Sequence, residues 1–343
     1  NQQGDIDLLI IDESHFAARS QETGKVLNGL KRETTKSELD AYDQNFVDLE
    51  EPVKLFTPKV KLHLSGTPYR ILMDGEFQKE DIIAFVQYND IISEQQKWDD
   101  DNLDKDEWEN PYYGFPQMVR FAFNLNQSSI NRLNELRNDG IDYRLNTLLC
   151  TNSLVKSNDY KHFVFENEVL DLLKAIDGSK EDENIFSFLN YDRIQEGKMC
   201  RHIVMVLPFR ASCDAMQELL TNNEFTNLSE YEVLNLAGFG CPQKYSDTDY
   251  ANKIKEDISK LESQGKKTIT LTVGKMLTGS TVREWDTMIF LKDASSPQEY
   301  DQAIFRLQSQ YVKTIKNKDG EEIRCNMKPQ TLLVDFDPTR MFV

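Results

Sequence analysis

The chain has 343 residues, 39% of them hydrophobic and 29% charged, and its 58 acidic against 40 basic side chains leave a net charge of −18. That length suits two ordinary domains. No apolar run approaches the roughly 18 residues a membrane helix needs, and a chain this acidic argues against a broad nucleic-acid-binding surface, though not against a narrow basic track. Cys150, Cys200, Cys213, Cys241 and Cys325 show no C-x-x-C spacing, so neither a zinc site nor a disulfide framework is expected and a reducing cytoplasm fits. The opening NQQGDID is polar, with no initiator methionine and no secretory pattern, and is expected to be a cut end within a longer protein.

In chain order, residues 5–11 read as one buried strand, and Leu8–Ile11 run directly into Asp12, Glu13, Ser14 and His15. Residues 15–52 are polar and charge-rich without a clear core period. VKLHLSG (60–66) alternates apolar and polar residues, which predicts a strand closed by the turn GTP (66–68). Ile82, Ile83, Phe85 and Val86 give residues 80–92 a helical spacing, and the acidic KWDDDNLDKDEWENP (97–111) reads as a linker ending at Pro111. The expected division is therefore 1–110 and 111–343. In the second part, strands are predicted at 117–125, 201–209, 231–237, 268–273, 287–291 and 330–336. Helices are predicted near 129–138, 166–176, 211–220, 249–264 and 297–311. Strands alternating with helices in this way predict a parallel sheet covered on both faces. No internal repeat is visible.

Ligands of open parallel sheets bind at the carboxyl ends of the strands, which is where Asp12 and Glu13 stand. Two acids at such an end can hold a hydrated Mg²⁺ and orient a water molecule, the two services phosphoryl transfer requires. An ordinary loop acid pair after a core strand would look the same. Downstream, LHLSGTPYR (62–70) repeats the pattern of a strand followed by a small-residue turn. Ser65 and Thr67 offer hydroxyls, and Gly66 would let the backbone pass close to a neighbouring loop.

Together these stretches resemble superfamily 2 helicases and translocases. DESH (12–15) resembles the DExH form of the Walker B motif, and SGTPY (65–69) resembles motif III. RHIVMVLPFRASCDAMQELL (201–220) has the strand–helix form of motif IV, TLTVGKMLTGSTVREWDTMIFL (270–291) is similar to motif V, and SSPQEYDQAIFRLQ (295–308) is similar to motif VI. The pattern is closest in character to motor subunits of type I and type III restriction enzymes. The resemblance implies an α/β architecture of two RecA-like parallel-sheet domains (the P-loop NTPase fold), the first truncated at its N-terminus. It implies ATP and Mg²⁺ as cofactors and double-stranded DNA as the track. The expected associates are modification or specificity subunits, or fused nuclease or methyltransferase domains.

The resemblance also implies roles for residues. Asp12 would bind Mg²⁺ and Glu13 would orient the attacking water. Ser14, His15 and Gly279 would belong to the nucleotide site, and Ser65, Gly66 and Thr67 would couple hydrolysis to domain closure. Gln302 and Arg306 match the Q-x-x-x-R of motif VI, with Arg306 reaching a γ-phosphate through its fixed, permanently charged donors. Arg70, Arg210, Lys275 and Thr278 are candidate DNA contacts, each also readable as a surface residue.

Three departures stand beside the match. Ser309 occupies the position where a second motif VI arginine is common, and Thr281 the position where motif V often has an acid. No G-x-x-x-x-G-K-[ST] occurs in the 343 residues, so the phosphate loop is expected upstream and the fragment alone is expected to be inactive. A degenerate motor kept as a structural or DNA-binding module, or a repair or RNA helicase of the same superfamily, would carry the same motifs.

Overall fold

The computed structural model describes residues 6–11, 58–66, 78–122, 144–151, 161–178, 199–245, 249–274, 277, 281–293, 297–316, 318 and 320–336. The chain divides into two compact units, Asn1–Val86 and Gln87–Val343.

In the first unit, strands β1 (Leu8–Ile11) and β2 (Val60–His63) pair in parallel, Leu8 opposite Val60 and Ile11 opposite His63. The pairing continues past β2, where the Leu64 amide donates to the Ile11 carbonyl at 2.9 Å. Residues 5–11 were expected to form a buried strand. Instead Leu8 and Ile10 are 51% and 54% exposed, because a two-stranded parallel ribbon covers neither of its faces by itself.

The second unit is built on six strands: β3 (Gln117–Ala122), β4 (His202–Val206), β5 (Tyr231–Asn235), β6 (Lys267–Thr272), β7 (Thr287–Phe290) and β10 (Gln330–Asp335). They lie in the order β3-β10-β7-β4-β6-β5, and every neighbouring pair is parallel. Successive strand residues point to opposite faces, and both faces are covered here. Ile203, Met205, Ile269, Leu271 and Ile289 face a cluster with α3 (Glu166–Asp177) and α4 (Arg210–Asn222). Val204, Val206, Met288 and Phe290 face the opposite cluster with α5 (Tyr250–Ser263) and α6 (Pro297–Phe305). Each helix presents an i, i+4 apolar stripe of the kind that packs on a sheet: Val169 and Leu173 on α3, Ile254 and Ile258 on α5. The predicted parallel sheet with helices on both faces is therefore present in this unit. A single helical turn, α2 (Leu145–Leu148), precedes α3. The helix expected near 129–138 lies outside the described residues.

Two elements differ from the sequence reading. The expected helix at 80–92 is a short 3-10 turn, Lys79–Asp81, followed by α1 (Tyr88–Asp101), which runs into the acidic stretch expected to be a linker. That stretch is held by polar ties. Buried Asn110 donates to the Gln95 carbonyl at 3.0 Å and to Asp99 at 2.8 Å, and Tyr88 donates to the Pro116 carbonyl at 2.5 Å. Strands β8 (Val312–Lys316) and β9 (Glu322–Asn326) form an antiparallel hairpin that the strand predictions missed, with Gly320 at φ +84° in its turn. No helix among the described residues is long and apolar enough to cross a membrane.

Candidate functional site

At the carboxyl edge of the six-stranded sheet, β4 passes through Leu207–Phe209 into α4. The Nε of Arg210, the first residue of α4, donates to the Ala237 carbonyl at 2.9 Å, and its guanidinium lies 4.6 Å from the centroid of the Phe239 ring. One helical turn later, buried Asp214 accepts from the Phe239 amide at 2.7 Å, the Gly240 amide at 3.0 Å and the Asn235 carboxamide at 2.9 Å. Asn235, the last residue of β5, accepts from the Gly238 amide at 2.8 Å. The loop LAGFG (236–240) is therefore fastened to α4 by two side chains. Gly238 is required by space: a Cβ there would lie 2.2 Å from an Asp214 carboxylate oxygen and 2.5 Å from the Asn235 amide nitrogen. Sequence reasoning singled out Arg210 but missed Asp214, Asn235 and Phe239. The available signal was a G-x-G after a strand, with an acid one turn into the preceding helix.

Beyond β7, buried Lys292 pairs with Glu299 of α6 at 2.5 Å. Asp293 and Asn146 exchange two bonds, the Asp293 amide donating to Asn146 Oδ1 at 2.9 Å and the Asn146 amide to Asp293 Oδ2 at 3.2 Å. Ser212 donates to the Leu149 carbonyl at 2.6 Å. These contacts seat α2 over the ends of β7 and α4.

The segment joining β6 to β7 carries the next group. Helix α6 was expected to continue to 311 but ends at Phe305, and Arg306 lies in the turn that follows. Arg306 Nε donates to the Leu277 carbonyl at 2.9 Å and Nη1 reaches the Thr281 hydroxyl at 3.4 Å. The link between the two motifs is thus present with a hydroxyl where an acid is common. Gln302 is buried on α6 one turn earlier. Ser309 donates to the Arg306 carbonyl at 3.2 Å and accepts from Lys328 at 3.2 Å, so its side chain serves the interior.

Of the other predicted site residues, Ser65 is half-buried and Gly66 is exposed just after β2. Among the described residues, no atom lies within 4 Å of a Cβ built at Gly66. Asp12, Glu13, Ser14, His15, Thr67, Arg70, Lys275, Thr278 and Gly279 lie outside the described residues. Ile11 and His63 are register partners, so β1 and β2 end level at one carboxyl edge, and DESH and SGTPY are the stretches that follow them in sequence. Among the described residues, no group of three or more His, Cys, Asp or Glu side chains could hold a metal ion.

The amino edge of the sheet carries a buried ionic network of a different kind. Asp286, just before β7, accepts from the Arg201 amide at 3.0 Å, and burial pushes its carboxyl up to about 6. Burial pulls His202 down to about 4 and Lys328 down to about 7. Lys328 donates to the Trp285 carbonyl at 3.1 Å as well as to Ser309. Burial alone would raise Glu262, yet hydrogen bonds from Lys313 and Tyr311 hold it below the usual carboxylate range.

No protein-family model matches the sequence. A Mycoplasma pneumoniae protein, named as the C-terminus of a proposed type II restriction enzyme and methyltransferase, is 28% identical over 345 aligned residues, covering 92% of this chain. The chain spans 45% of that relative's length. A solved structure, the C-terminal part of the Fun30 ATPase domain, superposes with a TM-score of 0.31 at 12% identity, over 78% of this chain and 75% of that one. So low a score carries no argument about fold or activity.

Proposed function

We propose that this chain is part of the motor of a restriction–modification enzyme, in which ATP hydrolysis drives movement on double-stranded DNA. The observation that carries the reading is the register of β1 and β2. The two strands end level at one carboxyl edge, and the stretches that follow them in sequence are DESH and SGTPY, the order expected of two motifs that serve one nucleotide. The restriction-related relative supports the system, and the parallel sheet covered on both faces agrees with a second RecA-like domain. Specificity subunits or fused nuclease and methyltransferase domains would complete the parent enzyme.

Bound ATP and Mg²⁺ would supply the phosphoanhydride and neutralise its charge. On this reading Asp12 holds the metal and Glu13 orients the water. Ser14, His15 and Gly279 line the nucleotide, while Ser65, Gly66 and Thr67 transmit its state. Arg70, Arg210, Lys275 and Thr278 touch the DNA backbone. Arg306 is the candidate finger and must exchange the Leu277 carbonyl and Thr281 for phosphate oxygens when it acts. The reading requires a phosphate-binding loop outside these residues.

A second reading, a module that binds but does not hydrolyse, draws on the same arginine, since its guanidinium already has partners within its own domain. Glu13→Gln in the complete parent protein separates the two. Gln keeps the shape but cannot act as a base, so DNA-dependent ATPase activity should fall by at least about a hundredfold with nucleotide binding retained. A wild-type parent with no ATPase activity favours the binding module. A Glu13→Gln rate within a few-fold of wild type removes Glu13 from its role.

A further inference from the structure

Lys328 is a buried ammonium that the chemistry described so far does not use. A buried charge is destabilising unless it is paired and hydrogen-bonded, and burial pulls this one down to about 7. Among the described residues, its side chain donates to two neutral oxygens, the Trp285 carbonyl at 3.1 Å and the Ser309 hydroxyl at 3.2 Å. Those two oxygens belong to the two segments that meet at Arg306. Trp285 lies near the end of the segment joining β6 to β7, and that segment holds the Arg306 guanidinium through the Leu277 carbonyl and the Thr281 hydroxyl. Ser309 lies in the turn after α6 and donates to the Arg306 carbonyl at 3.2 Å. One lysine thus ties the support of the Arg306 side chain to the support of its backbone. Both of its attachments are firm. Trp285 is fully buried, its Nε1 donating to Thr270 of β6 at 3.2 Å. The Lys328 amide donates to Asn326 Oδ1 at 3.0 Å, and the Met327 amide to the Tyr311 carbonyl at 2.8 Å. Three donors on a long stem suit an ammonium to such a span.

We propose that Lys328, acting through Ser309, is a positioning residue for Arg306, bracing the turn that carries Arg306 against the β6–β7 segment. The inference rests on the reading of Arg306 as the finger and adds the groups that set its place. The brace acts on the backbone. The guanidinium can therefore leave Leu277 and Thr281 for a phosphate while the turn from which it swings stays fixed. A positioned charge accelerates phosphoryl transfer only where it meets the developing charge, and small misplacements lower the rate steeply. The brace also gives Ser309 a task. At the position where a second arginine is common, its hydroxyl relays the buried ammonium to the Arg306 carbonyl. An apolar residue in place of Lys328 would remove the cost of burying a charge, and the brace with it.

The first test follows the Nε proton of Arg306 by NMR in the full chain with labelled arginine, assigned as the signal that Arg306→Lys removes. Ser309→Ala should speed its exchange with solvent by about two- to tenfold, the equivalent of one neutral hydrogen bond. Lys328→Met should speed it at least as much, and Ser309→Thr, which keeps the hydroxyl, should restore the wild-type rate. Ser309 is small and half-buried, so Ser309→Ala keeps the test open should Lys328→Met fail to fold. The second test is steady-state ATPase of the parent protein with duplex DNA. Ser309→Ala should lower kcat by about two- to tenfold with KM for ATP unchanged, again recovered by Ser309→Thr. In an Arg306→Ala background, Ser309→Ala should cause no further loss, because the two residues act as one unit. Exchange that is unchanged in Ser309→Ala overturns the proposal. So does an equal fall in kcat when Arg306 is already absent. If the parent hydrolyses no ATP while the exchange of Arg306 still follows Ser309, the brace stands and the motor reading falls.

Discussion

Lys328 should make the second unit more stable as the pH rises from neutrality. Its ammonium is fully buried and donates to two neutral acceptors, the Trp285 carbonyl and the Ser309 hydroxyl. Asp286 and Glu284 attract it without bonding to it, and burial outweighs them, leaving it at about 7 against an ordinary 10.5. Between those values the unfolded chain holds a proton that the folded chain has released, so stability increases with pH. From pH about 7 to about 8.5, integration over this one group gives a gain of about 1.5 kcal/mol. Other groups leave that window open. Asp286 and His202, at about 6 and 4, titrate below it. Burial raises Cys200 to about 12 and also raises Cys213, Tyr245 and Tyr311. Each of these keeps its proton longer when folded, so the cysteines begin to lower stability as the pH nears the ordinary thiol value of 9, which trims the gain only at the top of the window. Urea unfolding followed by the fluorescence of buried Trp285 measures the effect. Lys328→Met removes the titrating group and should flatten the profile whatever it does to stability at pH 7. A wild-type profile that is flat or falling between pH 7 and 8.5, or a Lys328→Met variant that keeps the slope, refutes the reasoning.

Two further outcomes follow from single contacts. Gly238→Ala should cost about 1–3 kcal/mol in chemical denaturation, because the new methyl drives apart Asp214 and Asn235; an unchanged midpoint would mean the loop can move away from α4. In the parent protein, Arg306→Ala should lose on the order of a thousandfold in DNA-stimulated ATPase while keeping DNA affinity, and a variant stimulated as strongly as wild type is not missing a finger.

The strands of the second unit were legible because apolar, β-branched runs buried on both faces leave an unambiguous signature, as in HIVMV (202–206). The same signature misled at Leu8–Ile11, where it suits a sheet covered on both faces but the described ribbon leaves its side chains half-exposed. Helix α1 was hidden because its acids suggested a linker, whereas its attachment depends on Tyr88, Gln95 and Asn110, whose polar bonds leave no periodic mark. The hairpin of β8 and β9 had a usable signal in KDG (318–320) between alternating segments. At the candidate site, Arg306 and Thr281 were legible from spacing, and the structure adds that they meet. The Asp214–Asn235 fastening was not legible, because it joins residues on different elements that no local pattern relates. The residues expected around Asp12 lie outside what the structure describes.

The arrangement within the second unit also answers the objection from charge. Asp99, Asp100, Asp101, Asp104, Asp106, Glu107 and Glu109 lie in or just beyond the C-terminal turn of α1. That segment is tied to the amino edge of the sheet, through Tyr88 to Pro116 just before β3 and through the Trp108 carbonyl to Arg324 of β9. Arg210 and Phe239 stand at the carboxyl edge. A strand of five or six residues spans roughly 16–20 Å, about twice the distance over which physiological salt screens an exposed charge. The acids that dominate this stretch are therefore too distant to repel a phosphate beside Arg210. Net charge describes how the chain behaves as a colloid; the potential at one loop is decided by what lies within a screening length of it. Among the described side chains of that loop, the fixed features are a guanidinium over an aromatic ring and an aspartate whose oxygens are occupied by inward-facing amides.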